Sequence, residues 1–333
     1  LRPQRGYVPK DGHTKRLSGK AQPDEDCDMK IATMATGGIG GFLAVRLANA
    51  GHEVATIARG EHLAAIRQNG LTLEAFDGTV TVTPWKATDD PAEVGPVDAI
   101  IFGIKANNLD SAAEACRPML GPETVVVPFL NGVEAADRLA AILPPTNVGN
   151  GVAYISTTIT EPGVIKQTGD FNTFVFAECD SATSPRVEAL RDAINAAGSN
   201  APPTRDIDRE LWKKFVLFAA VSGITSAARC TMGDIVGNDA LSEVFRAAVA
   251  ETATLGKARG IDLPETILDD TWATVQQMPP MMRASTAIDL EKGRPLEIDW
   301  LSGAVDRLST AAGLDAPVNR MLWALLLPHR DGH

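Results

Sequence analysis

The amino-terminal part of the chain alternates short apolar runs with longer amphipathic stretches. Apolar runs at residues 31–34 and 54–58 have the length of buried parallel strands. Residues 42–50, between them, carry apolar side chains at helical spacing, and Gly51 follows directly. This pattern predicts a βαβ unit of about thirty residues, the usual size of that motif.

The same alternation continues beyond residue 59. Buried strands are predicted at 98–103 and 124–129, helices at 61–69, 109–117 and 184–197, and a hairpin of 71–74 with 79–83 around Asp77-Gly78. Further strands, expected to be antiparallel, are predicted at 148–160, 164–168 and 173–177. The alternation indicates an α/β fold whose N-terminal part is a Rossmann-type, doubly wound parallel sheet.

Helical periodicity replaces the strands in the carboxyl-terminal part. Helices are predicted at 208–228, 240–259, 264–277, 297–312 and 318–327, and the breaker-rich stretch 198–204 marks a boundary before them. We therefore expect a Rossmann-type domain at 29–204 and an all-helical domain at 205–328. Residues 1–28 lack an apolar core and are predicted to be a disordered tail, and 329–333 a short second tail.

Composition and charge narrow the function classes. The 333 residues carry a formal net charge of -11, which argues against general affinity for nucleic acid or an anionic membrane. No apolar run reaches the roughly 18 residues that cross a bilayer. The cysteines Cys27, Cys116, Cys179 and Cys230 lie far apart, so we expect no disulfide framework, no metal site and a cytoplasmic protein.

A glycine-rich turn joins the first predicted strand to the first helix. Gly37 and Gly40 hold the second and third glycine positions of the G-x-G-x-x-G fingerprint, with Gly38 and Ile39 between them, and Ala35 replaces the first glycine. In this motif backbone N–H groups meet a pyrophosphate at a helix N-terminus. Strand, turn and helix of suitable length favour a dinucleotide site over a tight turn that binds nothing.

Arg59 bears on which dinucleotide binds. NAD enzymes usually place an acid about twenty residues after the fingerprint, to bind the ribose 2′-hydroxyl. Residues 56–58 include no acid, and Arg59 follows them. An arginine there can pair with a 2′-phosphate, so we expect NADP. The alternative is a solvated arginine that pairs with Glu61.

Four candidate residues lie at the carboxyl ends of predicted strands. They are Gly37, Arg59, Lys105 and Asn131. Ligands of open α/β sheets collect outside the carboxyl ends of the strands. We therefore expect these residues to share one site.

Lys214 is the strongest catalytic candidate. It lies in a predicted helix that is apolar nearly all round, beside Leu211 and Phe218 rather than on a charged stripe. Partial desolvation lowers the pKa of a lysine and suits it to general-acid chemistry near neutral pH. The alternative is a lysine whose stem lies on apolar surface while its ammonium reaches water. Its neighbour Lys213 is interpreted as an ordinary solvated charge.

The stretch 284–300 supplies the candidate acids. Glu297 and Asp299 are predicted to begin a helix after Pro295, where acids also complement the helix dipole. Asp289 and Glu291 are interpreted as solvated or capping groups. No chemistry is assigned to the histidines, which lack a partner at metal or triad spacing. They are His13, His52, His62, His329 and His333.

Together these motifs resemble the ketopantoate reductases (2-dehydropantoate 2-reductases), NADPH enzymes of pantothenate biosynthesis. The resemblance covers residues 29–327. Its landmarks appear in order: the strand and glycine turn, the arginine after the second strand, Ile104-Lys105, Leu130-Asn131-Gly132, Leu211-Trp-Lys-Lys214, and the stretch from Ser285 to Glu297-Ile298-Asp299.

The resemblance implies a set of cofactor-binding residues. Gly37, Gly38, Ile39 and Gly40 would hold the pyrophosphate, and Arg59 the 2′-phosphate. It further implies that Lys105 and Asn131 line the cleft for the nicotinamide and the substrate, and that the enzyme is a homodimer.

The resemblance also implies roles in catalysis. Lys214 would be the general acid that protonates the substrate carbonyl as hydride arrives from NADPH. Glu297 would bind the substrate hydroxyl and orient Lys214, and Ser285 would contact the substrate carboxylate. An ammonium aimed at a developing alkoxide stabilises charge where it appears.

Two positions depart from the family pattern. Where well-studied members carry substrate-binding asparagines four and eight residues after the lysine, this chain has Phe218 and Ser222. Phe218 cannot donate a hydrogen bond. Either Ser222 and other groups compensate as substrate ligands, or the substrate is different and more apolar.

We therefore expect NADPH-dependent reduction of a small 2-oxo acid, with ketopantoate the leading substrate and pantoate its product. One alternative is a related hydroxy-acid or imine dehydrogenase that acts on a more apolar substrate. An alternative of another class is a non-catalytic NADP-binding sensor.

Overall fold

The computed structural model of the protein describes residues 29–332. The predicted tail at 1–28 therefore lies outside the described residues, as does His333. The strands are β1 (Lys30–Met34), β2 (Glu53–Ile57), β3 (Leu71–Ala75), β4 (Gly78–Val82), β5 (Lys86–Thr88), β6 (Ala99–Phe102), β7 (Val125–Pro128), β8 (Gly149–Glu161) and β9 (Val164–Glu178).

Helices occur both in the strand-rich N-terminal part and in the C-terminal part of the chain. They are α1 (Gly38–Asn49), α2 (Gly60–Asn69), α3 (Leu109–Cys116), α4 (Ala135–Ile142), α5 (Pro185–Ala196), α6 (Ile207–Ala227), α7 (Met232–Gly237), α8 (Asp239–Ala258), α9 (Ile267–Gln277), α10 (Ser285–Glu291), α11 (Ser302–Ala311) and α12 (Pro317–Leu326).

A parallel sheet forms the base of the N-terminal part. Its five strands lie in the order β5-β2-β1-β6-β7, and every adjacent pair is parallel. Successive residues of β6 point to opposite faces: Ile101 packs into the core that contains α1, whereas Ile100 packs with α3 and α4. The predicted α/β fold with a doubly wound parallel sheet is confirmed.

A second sheet packs over α1. Its order is β4-β3-β9-β8, with β3 parallel to β9 and the other pairs antiparallel. Phe42 and Leu43 of α1 share a buried core with Leu73 of β3 and Phe174 of β9. Helix α1 therefore lies between two sheets, and its N-terminus faces the hairpin of β8 and β9.

The C-terminal part is helical, as predicted, and is built around α6. This helix packs against α8, α10, α11 and α12. Its buried residues, among them Phe215, Val216 and Ala220, lie in one core with Phe245 of α8 and Leu322 of α12. Because α6 is surrounded on most sides, its sequence is apolar nearly all round.

Two predictions about element boundaries differ from the structure. Strands predicted at 164–168 and 173–177 form the single strand β9, because Gly169, at φ +78°, lies in an irregularity of the ladder rather than in a turn between strands. The predicted helix 297–312 divides: residues Ile298–Trp300 form a 3₁₀ turn, and α11 begins at Ser302.

Some elements carry signals that the predictions leave out. Helix α7 has a capping box, in which Thr231 and Asp234 each bond the other's backbone N–H. Helices α4 and α10 are also unpredicted. At the carboxyl end, predicted as a tail, the Leu296 N–H donates to the Arg330 carbonyl over 2.8 Å, which ties this segment to the helical part.

None of the helices within 29–332 combines the length and apolar character needed to cross a membrane.

Candidate active site

The glycine-rich turn follows β1 and opens α1. Gly37 is the N-cap residue, and no side chain caps the helix there. The first backbone bond of the helix runs from the Gly41 N–H to the Gly37 carbonyl over 2.7 Å. The N–H groups of Gly38, Ile39 and Gly40 therefore have no acceptor within the helix, and they lie at its positive end. This arrangement suits an anion such as a pyrophosphate.

Close packing around the turn requires glycine. A Cβ on Gly40 would lie 2.3 Å from the Ala35 carbonyl oxygen, and one on Gly38 would lie 2.8 Å from the carbonyl oxygen of Thr157 in β8. Gly103, after β6, approaches equally closely, since its Cβ would lie 2.6 Å from the Gly40 nitrogen. The turn thus forms a bare backbone surface that fits a dinucleotide pyrophosphate.

Arg59 lies at the carboxyl side of β2, as the N-cap residue of α2, and is exposed. Within 29–332 its guanidinium has no hydrogen bond or ion pair, so the alternative pairing with Glu61 does not form. A free guanidinium beside the glycine turn fits a 2′-phosphate.

Lys214 points from α6 toward the N-terminal part and is half-buried. Its Nζ donates to the carbonyl oxygen of Ala153 in β8 over 2.8 Å and to Oδ1 of Asn131 over 3.3 Å. The Phe218 and Tyr154 rings lie 5.3 and 5.9 Å from Nζ. The predicted Lys214 and Asn131 therefore meet, although they are 83 residues apart in the chain.

The surroundings of Lys214 change its ionisation. Burial lowers the pKa of Lys214 to about 8, while the Glu297 carboxylate raises it. The acceptors that touch Nζ, an amide oxygen and a backbone carbonyl, bear no formal charge, so they replace water without fully compensating for its loss. An ammonium with this pKa exchanges protons near neutral pH.

A small pocket opens beside the ammonium. Its polar lining comes from Asn131 and Lys214, and the rest is largely apolar. Side chains of α6 (Leu211, Phe215 and Phe218) contribute one wall, and Leu130, Gly132 and Leu301 complete the lining. A group bound here meets one cation, one amide and a mostly apolar surface.

Glu297 joins the two parts of the chain. Its Oε1 accepts a hydrogen bond of 2.9 Å from the Ala106 backbone N–H. It is half-buried and precedes the 3₁₀ turn rather than beginning a helix, which corrects the predicted position. Within the described residues it forms no ion pair with Lys214, so the carboxylate acts on the lysine electrostatically, from beyond direct contact.

Lys105 directly precedes Ala106, the residue whose backbone N–H bonds Glu297. Its Nζ forms an ion pair of 2.6 Å with Asp289 of α10, whose side chain is only 15% exposed. The interpretation of Asp289 as a solvated or capping group is therefore wrong. Asp289 also lies 3.8 Å from Arg294, so the carboxylate has two cationic neighbours.

The two predicted serines differ in their surroundings. Ser222 is buried, and its hydroxyl is 2.6 Å from that of Thr286 in α10. Ser285, the first residue of α10, is exposed. Ser285 therefore faces solvent, whereas the buried Ser222 hydroxyl already has a hydrogen-bond partner in Thr286.

Several contacts of the site escape prediction from sequence. The Ala153 carbonyl is a backbone acceptor, which no residue type identifies. Asp289 is 184 residues from Lys105, so only the fold brings them together. Gly103 is the exception, because a glycine directly after a buried strand indicates that another part of the backbone approaches it closely.

Comparison with known protein families agrees with this geometry. A model described as Ketopantoate reductase PanE/ApbA matches residues 31–180, and one described as Ketopantoate reductase PanE/ApbA C terminal matches residues 206–329. The chain belongs to this family. As a member of the ketopantoate reductase family it is an oxidoreductase, which disfavours the non-catalytic sensor.

Individual relatives align over nearly their whole length. A 2-dehydropantoate 2-reductase of Mesorhizobium japonicum is 30% identical over 90% of this chain and 97% of its own. YkpB of Bacillus subtilis, an uncharacterized oxidoreductase, is 27% identical over 90% and 98%. The crystal structure of a PanE/ApbA family ketopantoate reductase from Ralstonia eutropha gives a TM-score of 0.83 at 31% identity, and covers 91% of this chain and 98% of that one.

Proposed function

We propose that this ketopantoate reductase family member reduces a 2-oxo acid to a 2-hydroxy acid with NADPH, and that ketopantoate is the leading substrate. The observation that carries the proposal is the half-buried Lys214, which lines a small pocket and whose ammonium bonds Ala153 and Asn131. Carbonyl reduction requires a proton donor at the carbonyl oxygen, and a partly desolvated ammonium beside a substrate pocket can act as that donor.

NADPH, when bound, supplies the hydride. Lys214 then provides the proton. As electrons move onto the carbonyl oxygen, the Lys214 ammonium transfers a proton to that oxygen. The oxygen becomes a hydroxyl, and the lysine becomes a neutral amine. Solvent restores the proton in the next cycle. The Ala153 carbonyl holds Nζ in place, since it accepts at 2.8 Å without competing as a charged partner.

The other cleft residues would hold the substrate. Asn131 retains amide N–H groups for a substrate oxygen while its Oδ1 accepts from Lys214. Glu297 keeps Lys214 cationic through its charge and is assigned the substrate hydroxyl. Lys105 and Ser285 are assigned to bind the substrate carboxylate, because a cation and a hydroxyl group both stabilise a bound anion.

The cofactor preference rests on Arg59. Because its exposed guanidinium lacks an internal partner among the described residues, it can bind a 2′-phosphate without first breaking an ion pair. A hydroxyl in that position would gain much less, which favours NADPH over NADH. The homodimer and the cytoplasmic location are proposed on the family resemblance alone.

A second candidate substrate is a more apolar 2-oxo acid. Phe218 lines the pocket and offers no hydrogen-bond donor, and the Ser222 hydroxyl is paired with Thr286. A distal hydroxyl such as that of ketopantoate would therefore find little polar contact on this wall. An acid with a branched hydrocarbon or aromatic side chain would instead bury apolar surface there.

The deciding experiment follows NADPH absorbance with ketopantoate and a panel of 2-oxo acids that bear aliphatic or aromatic side chains. Turnover of at least one acid, strictly dependent on NADPH, is the expected result. Tight NADPH binding without turnover of any 2-oxo acid would overturn the proposed reaction.

A further inference from the structure

His62, on α2, contacts the glycine-rich turn directly. Its Nε2 lies 2.9 Å from the carbonyl oxygen of Thr36, the residue before Gly37. Its Nδ1 accepts a hydrogen bond of 2.9 Å from the backbone N–H of Gly163, in the turn between β8 and β9. One imidazole therefore links the turn that opens α1 to the hairpin of the second sheet, across 101 residues of chain.

The two contacts specify one form of the ring. Because Nδ1 accepts from Gly163, it carries no hydrogen, so Nε2 must carry the hydrogen that it donates to Thr36. Burial lowers the pKa of His62, although the Thr36 carbonyl raises it. The neutral imidazole is thus both the form that the contacts require and the form that its surroundings favour.

The contact with Thr36 acts on the neighbouring residue through the peptide plane. The Thr36 carbonyl and the Gly37 N–H belong to the same planar unit, in which oxygen and hydrogen point in opposite directions. Holding the oxygen therefore orients the Gly37 N–H, which lies at the entrance to the pyrophosphate surface. We infer that His62 is a positioning residue for the dinucleotide: it orients the backbone donors of the turn without touching the cofactor.

The hairpin that supports His62 also abuts the turn itself. The Thr157 carbonyl and hydroxyl oxygens would each lie 2.8 Å from a Cβ on Gly38. Thr157 Oγ1 is buried and has no hydrogen-bond partner among the described residues. The hairpin therefore packs against the turn at Gly38, while His62 bonds both the hairpin and the turn, so the ring holds two already adjacent surfaces in register.

Two conservative substitutions separate the contacts of His62. The side-chain nitrogen of glutamine reaches about as far as imidazole Nε2, so His62→Gln keeps a donor for Thr36 and gives up the acceptor for Gly163. The side-chain oxygen of asparagine corresponds to Nδ1, so His62→Asn keeps the Gly163 contact and gives up Thr36. Gln68→Asn, at an exposed position of α2, is the matched control.

The inference rests on the proposed NADPH site, and it is tested by binding rather than turnover. Titration of each purified variant with NADPH, followed by nicotinamide fluorescence, gives the dissociation constant directly. We expect His62→Asn to raise this constant about tenfold, and His62→Gln and Gln68→Asn to change it by less than about threefold. With the substrate identified, the same order is expected in KM for NADPH at unchanged kcat.

Other outcomes would overturn the inference. Equal dissociation constants for all variants, or equal weakening by asparagine and glutamine, would remove the role of the Thr36 contact. A loss confined to kcat would do the same. Failure of the unsubstituted protein to bind NADPH would instead refute the proposed cofactor, so the two failures are distinguishable.

Discussion

The Lys214 ammonium donates a 2.8 Å hydrogen bond to the carbonyl oxygen of Ala153, a residue in the middle of β8. A helix of the C-terminal part is thereby attached to the long hairpin that also packs against the glycine-rich turn. The acceptor is neutral, so the lysine remains available as a proton donor. Position and acidity of the ammonium both follow from this contact and from burial.

Replacement of Lys214 by alanine tests its role as general acid. We expect Lys214→Ala to lower kcat about 10²–10⁴-fold, the usual contribution of a positioned acid, because the alkoxide loses its proton donor. NADPH affinity should remain nearly unchanged, since the hydrogen bonds of Lys214 go to Ala153 and Asn131 and not to the glycine-rich turn. Lys213→Ala is the control: that neighbour pairs with Glu210 on the same helix. An unchanged kcat in Lys214→Ala would refute the assignment.

The pH dependence of the reduction should report the same group. Burial holds the pKa of Lys214 at about 8, below its ordinary value of 10.5. The active form is the protonated one, so kcat/KM should be maximal below this pKa and should fall as the pH rises through about 8. A flat profile up to about pH 10 would contradict the lowered pKa.

Removal of the Glu297 charge should shift that profile. The carboxylate raises the pKa of Lys214 against the effect of burial. Glu297→Gln should therefore move the alkaline limb of the kcat/KM profile to lower pH, in addition to any loss of substrate binding. Glu291→Gln, an exposed acid of α10, is the control and should leave the limb in place. A limb that moves upward would exclude the electrostatic role.

How far the sequence predicts this site depends on the kind of contact. Strand ends predict where Asn131 and Arg59 lie, because ligand residues of α/β sheets follow strands directly. Side-chain periodicity predicts a desolvated Lys214 but cannot identify the Ala153 carbonyl, since every residue has one. Ion pairs such as Lys105–Asp289 depend on packing between distant segments, which local patterns do not encode. The contacts of His62 with Thr36 and Gly163 cannot be predicted from the sequence for the same reason.

Substitution of Gly40 by alanine tests how closely the glycine-rich turn is packed. A Cβ there would lie 2.3 Å from the backbone oxygen of Ala35, which cannot rotate away. We expect Gly40→Ala to destabilise the fold by about 1–3 kcal/mol, the range of overpacking, measured as a lower melting temperature without cofactor. Gly37→Ala is the control, since its Cβ would meet the Gly103 oxygen at 3.4 Å, an ordinary contact. Equal melting temperatures would show that the turn can adjust.

Arg59 tests the preference for NADPH. Loss of charge-assisted bonds to a 2′-phosphate, each worth about 1.5–3 kcal/mol, should weaken NADPH binding about 10–100-fold in Arg59→Ala. NADH lacks that phosphate, so its dissociation constant should change little. Arg67→Ala is the charge-matched control on the same helix, where the guanidinium bonds the Ala87 carbonyl instead. Equal weakening of both nucleotides would remove the 2′-phosphate role.

Substitution of Phe218 tests which 2-oxo acid the pocket prefers. Ketopantoate and 3,3-dimethyl-2-oxobutanoate differ only by the distal hydroxyl, so the ratio of their kcat/KM values isolates that group. Phe218 lines the pocket beside Lys214 and offers the hydroxyl no hydrogen bond. Phe218→Asn supplies a donor and an acceptor, and we expect it to shift the ratio about tenfold toward ketopantoate.

Substitution of Phe218 by leucine separates polarity from the loss of the ring. Phe218→Leu also removes the aromatic contact with the ammonium but adds no polar group, so the ratio for the two acids should stay within about threefold of the original. Any change in Lys214 acidity affects both acids alike and cancels in the ratio. If leucine and asparagine shift the ratio equally, the size of the pocket, rather than the missing hydrogen bond, determines which acid is preferred.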